Sequence, residues 1–185
     1  LEAFDSGPGN CLIDEWIRKN SKKKFDENGS IARSGKIDQL ILNQAIDNFK
    51  INSYDKSLDI KDFDISFARG LSLEDGCSTI TNFTAYLIAK GIEYSNNDKS
   101  RPIKYFICGG GRKNTFLIQS IKDYLSNQTN LSLDLIDNYE FDGDYIESQA
   151  FGYLAIRSFL KLPISFPKTT GCDFQTIGGK LVQNF

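Results

Sequence analysis

Directly after Asn10 the apolar residues Leu12, Ile13, Trp16 and Ile17 recur at helical spacing, and the polar run Arg18 to Lys24 with Asn28-Gly29 ends that stripe. A second helical pattern spans Gly35 to Phe49, with Ile37, Leu40, Ile41, Ala45, Ile46 and Phe49 on its expected buried side and Asp38 near its start. Ser53 to Phe67, rich in Asp and Lys, reads as an exposed connection. Ser72-Leu73-Glu74-Asp75 has the spacing of a capping box and opens a long helix carrying Ile80, Phe83, Ala85, Leu87 and Ile88, for which Gly91 is the expected stop.

The pattern then changes period. Ile103 to Cys108 is short, β-branched and aromatic, the mark of a buried strand. Thr115 to Leu125 returns to helix, Ser132 to Ile136 to strand, and Asp142-Gly143-Asp144 opens a helix over Tyr145 to Lys161 bearing Ile146, Ala150, Leu154 and Ala155. Pro163, Pro167 and Gly171 make the tail a loop, with a last strand expected at Thr176 to Val182, and Leu1 to Phe4 reads as the end of a strand. Interleaved helices and strands predict an α/β layered domain.

Composition narrows the chemistry. Net charge is −2 over 185 residues, which leaves no basic footprint for nucleic acid; Lys22-Lys23-Lys24 reads as a solvated flank. Histidine is absent, so nucleophile systems and metal sites built on it are excluded, and acid–base work falls to carboxylates, Lys, Tyr or Cys. Cys11, Cys77, Cys108 and Cys172 have no C-x-x-C spacing and read as free, partly buried thiols. With no signal peptide or long apolar span, they point to the cytoplasm and away from a membrane. The chain contains no methionine, so it is expected to be part of a longer protein.

Two glycine-punctuated loops carry the candidate chemistry. In Asp5-Ser6-Gly7-Pro8-Gly9-Asn10 the glycines let backbone N–H groups approach an anion, and the following helix adds its positive end. Asp5 would repel a bare phosphate but suits a general base on water or a hydroxyl, or a metal contact. Gly109-Gly110-Gly111, between strand and helix with Asn114 as cap, follows the same logic. Each loop taken alone is equally readable as a structural turn. Neither the P-loop pattern nor the dinucleotide fingerprint is met. Asp142, Asp144 and Glu147 are either sugar-hydroxyl or catalytic carboxylates, or acidic charge at a helix N-terminus.

Taken together and in this order, the motifs resemble the C-terminal half of the anhydro-N-acetylmuramic acid kinases, of the sugar kinase, Hsp70 and actin superfamily. The stretches are Ala3 to Asn10 with Asp14 and Trp16, Ser34-Gly35-Lys36, Lys56-Ser57, Ile107 to Gly111 with Asn114, and Asp142-Gly143-Asp144 with Glu147 and Ala150. Thr170-Gly171 and Gly178-Gly179 match more weakly. The resemblance implies a ribonuclease H-like α/β lobe, a mixed sheet flanked by helices, with residues 1–185 as the single C-terminal lobe of a two-lobed kinase. The first lobe, with its Gly-rich phosphate loop, has no counterpart here.

It further implies an enzyme that opens the 1,6-anhydro ring with water and phosphorylates O6 using ATP and Mg²⁺, yielding N-acetylmuramic acid 6-phosphate for cell-wall recycling. Asp5 matches the catalytic aspartate. Gly7, Gly9, Asn10 and Gly109, Gly110, Gly111 match nucleotide-binding positions, and Asn114 and Glu147 match substrate-facing ones; no metal ligand is assigned. Asp59 and Tyr145 depart from the pattern, standing where glycine and a small residue are more usual. The lobe alone is expected to be inactive, and its exposed cleft surface could drive self-association into a homodimer. Two other readings stay open: a non-catalytic nucleotide-binding module of the actin and Hsp70 type, and another small-molecule kinase of the superfamily.

Overall fold

The computed structural model describes residues 3–49, 58–96 and 98–182. Residues 53–57 of the expected connection, Lys56-Ser57 among them, fall outside these residues. The rest is not the exposed segment expected, because Ile65 is buried in the core and Phe63 and Phe67 pack against it. The architecture is mixed α/β, organised around one long helix. Helix α1 (Cys11–Asn20), α2 (Ser30–Ser34) and α3 (Gln39–Asn48) precede the central α4 (Leu73–Ser95). Strand β1 (Ile103–Ile107), α5 (Thr115–Tyr124) and β2 (Leu131–Leu135) follow, then α6 (Ile146–Phe159) and the single-turn α7 (Pro167–Thr170).

Helices α1, α2, α3 and α5 all pack on α4, which explains why its buried residues run almost without break from Gly76 to Ala85. A helix enclosed on several sides has to satisfy its polar side chains internally, and all but Ser78 Oγ and Thr84 Oγ1 of the buried ones do so. Thr79 and Thr81 donate to the carbonyls of Asp75 and Cys77, and Asn82 Nδ2 donates to that of Ser78. The expected stripe of α1 is fully realised, with Leu12, Ile13, Trp16 and Ile17 at 5 % exposure or less. Trp16 lies against Gly76, where a Cβ would fall inside the indole ring, and its Nε1 donates to Leu73 O at 2.9 Å. Asp26 supports this layer by accepting the N–H groups of Ile31 (2.8 Å) and Ala32 (3.0 Å) at the start of α2.

Ser72 caps α4 as expected, accepting Asp75 N–H at 3.1 Å; Asp75 Oδ1 also accepts Lys36 N–H at 2.7 Å. Asp38 caps α3 by accepting Ile41 N–H. On α3 the expected side holds at Ala45, which is buried, and at Ile46 and Phe49, which pack on the core; Leu42 joins them, whereas Leu40 is 70 % exposed and Ile37 lies outside the helix. Gly91 is no stop. It is buried inside α4, which continues to Ser95, and the close approach of Ser6, which stands where a Cβ at position 91 would be, accounts for the glycine.

The β1–α5–β2 unit pairs its strands in parallel, Ile103 opposite Leu131 through Ile107 opposite Leu135. Among the described residues this two-stranded parallel sheet stands where a mixed sheet is expected. Its burial alternates along β1, leaving Phe106 48 % exposed against Tyr139, so the strand is half-buried. Thr176 makes one antiparallel bridge with Ser165, and the expected last strand does not form; Ala3 and Phe4 are also outside any strand.

The largest departure is α6. It forms over the expected range, yet none of its residues is buried: Ala150 and Ala155 are exposed, and Ile146 and Leu154 are half-buried. Phe151, Ile156 and Phe159 are each at least 60 % exposed, and Leu181 and Val182 in the tail are more so. The four cysteines are free; Cys77 is buried, Cys172 half-buried, and Cys11 and Cys108 are exposed instead of partly buried. No helix of the described residues is long and apolar enough to cross a membrane.

Candidate functional site

The segment carrying Asp5 runs against α4. At Gly7 a Cβ would stand 3.2 Å from Leu87 Cβ, so packing on the helix accounts for the missing side chain there. Gly9 differs. It adopts φ +56° with open space around its Cα, in a turn closed by Cys11 N–H donating to Pro8 O at 3.1 Å. Asn10 follows and accepts the first helical bond of α1 from Asp14 N–H at 2.8 Å. The open side of this turn is a surface that a ligand could approach closely. Asp5 is exposed, and its Oδ2 accepts Leu58 N–H at 3.0 Å, which orients the carboxylate. Burial raises the pKa of half-buried Asp14 on α1; Arg18 opposes this and Asp26 adds to it.

The second loop leaves β1 at Cys108. Gly109 has φ +76° and ψ −178°, a conformation essentially confined to glycine. Gly110 and Gly111 begin a 3₁₀ turn through Lys113, and no atom would meet a Cβ at any of the three. Asn114 ends this turn, is buried, and caps α5 by accepting Leu117 N–H at 3.0 Å. Its Nδ2 donates to Asn10 Oδ1 at 3.4 Å, bringing the two glycine loops side by side.

A third motif joins them. Gly109 N–H donates to Gly143 O at 2.9 Å, fastening the glycine loop to Asp142-Gly143-Asp144. Beneath that turn lies Arg112, which sequence reasoning passed over. It is 8 % exposed, with Asp137 and Asp144 as hydrogen-bonded partners. These bonds, to Asp137 first and Asp144 second, raise its pKa further. Arg112 and Lys113 in turn lower that of Asp144 to about 2, and Arg112 lowers that of Asp137. Asp144 therefore serves as an ion-pair partner. The signal in the sequence was an arginine between a glycine loop and a downstream segment with three aspartates.

Glu147 is exposed in the first turn of α6, shortly after that ion pair. Tyr145, which departs from the motif pattern, is 60 % exposed and precedes the helix. Gly35 of Ser34-Gly35-Lys36 presses on the backbone of Glu74 and Asp75 at the start of α4, away from the two loops in sequence and in its contacts. One groove of the surface runs between α6 and the tail, lined by Phe151, Leu154, Phe159, Ile164 and Leu181, and shares no residue with the glycine loops.

The arrangement fits a phosphate-bearing ligand: an open cradle at Gly109 to Gly111, a second open glycine turn beside it, and an oriented carboxylate on the same segment as that turn. Among the described residues no group of three His, Cys, Asp or Glu side chains is placed to hold a metal ion. Magnesium that travels on nucleotide phosphates asks for only one or two protein carboxylates, a demand exposed Asp5 fits.

Comparison with known proteins gives one result throughout. The family model described as anhydro-N-acetylmuramic acid kinase matches residues 1–184. A protein of that name from Pelagibacter ubique is 53 % identical over 188 residues, covering 100 % of this chain and 50 % of its own length. Its namesakes from Brucella canis (38 % identical, 97 % of this chain and 47 % of its own) and Zymomonas mobilis (35 %, 98 % and 48 %) align in the same way. The chain thus spans about half the length of these curated relatives.

Proposed function

Since the chain belongs to the anhydro-N-acetylmuramic acid kinase family, we propose that it acts as the second, ribonuclease H-like lobe of a two-lobed sugar kinase. The reaction is hydrolytic opening of the 1,6-anhydro ring of anhydro-N-acetylmuramic acid coupled to phosphorylation of O6 by ATP. The observation that carries this reading is the convergence of the two glycine loops through Asn10 and Asn114.

Asp5 is the general base. Its carboxylate takes a proton from water as that water attacks C1 and the C1–O6 bond breaks; O6 then takes the γ-phosphoryl group as the bond from the γ-phosphorus to the bridging oxygen breaks and ADP leaves. The Leu58 N–H that holds Oδ2 fixes the direction of the other oxygen. Gly9 and Asn10 would meet the phosphates, with Gly7, whose Cα packs on α4, offering backbone alone; Gly109 to Gly111 would pass beside the nucleoside, and Asn114 and Glu147 would contact the sugar. Magnesium bound with ATP would offset phosphate charge. The free thiols favour a reducing, cytoplasmic setting, and peptidoglycan recycling is the role the substrate implies. Positioning from both sides of a cleft is needed for phosphoryl transfer, so the 185-residue chain alone is inactive.

The test is ATP-dependent phosphorylation of the anhydro-sugar by a family-length protein carrying this lobe, run beside the 185-residue chain. An active long protein with an inert short one supports the proposal. An inactive long protein overturns the substrate assignment.

A further inference from the structure

Arg112 is the most fully engaged polar side chain among those around the candidate site. Its Nε and Nη2 donate to the two oxygens of Asp137 at 2.8 and 3.0 Å, a bidentate pair. Its Nη1 donates to Asp144 Oδ1 at 2.6 Å and to Gly109 O at 3.1 Å. Asp142 stands 3.7 Å from Nη2, and Lys113 Nζ holds the second oxygen of Asp144 at 2.6 Å. Gly143 crosses directly over the guanidinium, where any Cβ would collide with it. Gly143 also shares in the framework, giving its N–H to Asp137 Oδ1 at 3.4 Å and its carbonyl to Gly109 N–H.

Gly109 is therefore held at both its polar atoms, the N–H by Gly143 and the carbonyl by Arg112. A residue in so sparsely populated a conformation keeps it only when its surroundings over-determine it. One planar cation reaches three elements at once: the loop after β1, the turn after β2 and the entry to α6. A lysine ammonium, with a single compact donor centre, could not span Asp137, Asp144 and Gly109 O together.

We propose that Arg112 is a positioning residue that makes the Gly109–Gly111 loop and the Asp142–Glu147 segment a single unit. Resting on the kinase reading above, this keeps the nucleotide-facing loop in register with the sugar-facing start of α6. A ligand on one element then stiffens the other. The coupling is geometric, and it fails when the fork geometry is lost even if the positive charge stays.

Amide hydrogen exchange on the 185-residue chain tests this, comparing wild type with Arg112→Gln and Arg112→Lys, each with and without ATP. Both variants should raise exchange about tenfold in the loop and in the Asp142–Glu147 segment together, with α4 unchanged. Exchange that rises in only one segment, in neither, or equally in α4 overturns the proposal, as does full protection in Arg112→Lys. In wild type, ATP should also protect Asp142 to Glu147, and the variants should lose that remote protection while keeping any at the loop. Wild-type chain indifferent to ATP would count against nucleotide binding by this lobe alone, while the ligand-free comparison still decides the role of Arg112.

Discussion

Asn114 Nδ2 donates to Asn10 Oδ1 at 3.4 Å, joining positions 104 residues apart, while Asn114 Oδ1 caps α5 through Leu117 N–H. One amide thus has two separable duties. Asn114→Ala removes both and should lower stability by about 1 kcal/mol, the usual worth of an N-cap, in denaturant unfolding. Asn114→Asp keeps the acceptor for Leu117 and loses the donor for Asn10. Because Asn114 is buried, the new carboxylate facing Asn10 Oδ1 should cost about 1–3 kcal/mol, and it should shift the amide resonances of Gly9 and Asn10. Unmoved resonances would show that the loops do not depend on this contact.

Asp5 carries the chemistry in the proposed reaction and little of the packing. In a family-length enzyme Asp5→Asn should leave the thermal midpoint unchanged and cut kcat by about 10²- to 10⁴-fold, the range for a lost general base. Turnover at the wild-type rate would remove Asp5 from that role.

The Arg112 ion pairs give a pH signature. Asp144 has its pKa depressed from 3.8 to about 2, by Arg112 first and Lys113 second, and Asp137 is lowered in the same direction. A carboxylate with a depressed native pKa contributes stability above its unfolded value, and this is lost as pH falls from 3.8 towards about 2. In thermal unfolding across that window, wild type should lose more stability than Asp144→Asn. Parallel curves would mean that the pair contributes nothing to folding.

Close packing at Gly76 makes a sharper demand. Gly76→Ala pushes a methyl into the Trp16 ring and should cost about 1–3 kcal/mol, as overpacked cores do. Phe151→Ser and Phe159→Ser lie on the bare face of α6 and should change stability by no more than about 0.5 kcal/mol each. The same pair should reduce binding of a hydrophobic dye and any concentration-dependent sedimentation. Dye binding unaffected by both changes would place the apolar patch elsewhere.

What could be read from the sequence follows from where partners lie. Helices α1 and α5 were legible because their buried residues fall on one stripe facing α4, the case that periodicity describes. At the start of α3 the choice between Leu40 and Leu42 was not, since both are equally apolar and only tertiary contact selects Leu42. Gly91 looked like a helix stop because glycine usually is one near a helix end; close approach of Ser6 is a long-range fact. In α6 the apolar residues are present, but the described residues leave them exposed or at most half-buried. Of the site, the two loops were visible from their glycines. Arg112 was not, because a cation in a loop reads as solvated until its three partners are seen together.

The indole of Trp16 is the only one in the chain, buried to 5 % exposure with its N–H committed to Leu73 O. Its emission should consequently report on the α1–α4 seam, with a blue-shifted maximum expected while that seam is closed and a red shift when water enters. Because Trp16 sits one turn and a half beyond Asn10 on α1, the core can be followed by fluorescence without any label. Ligand titrations at the glycine loops can then be separated from unfolding in the same cuvette.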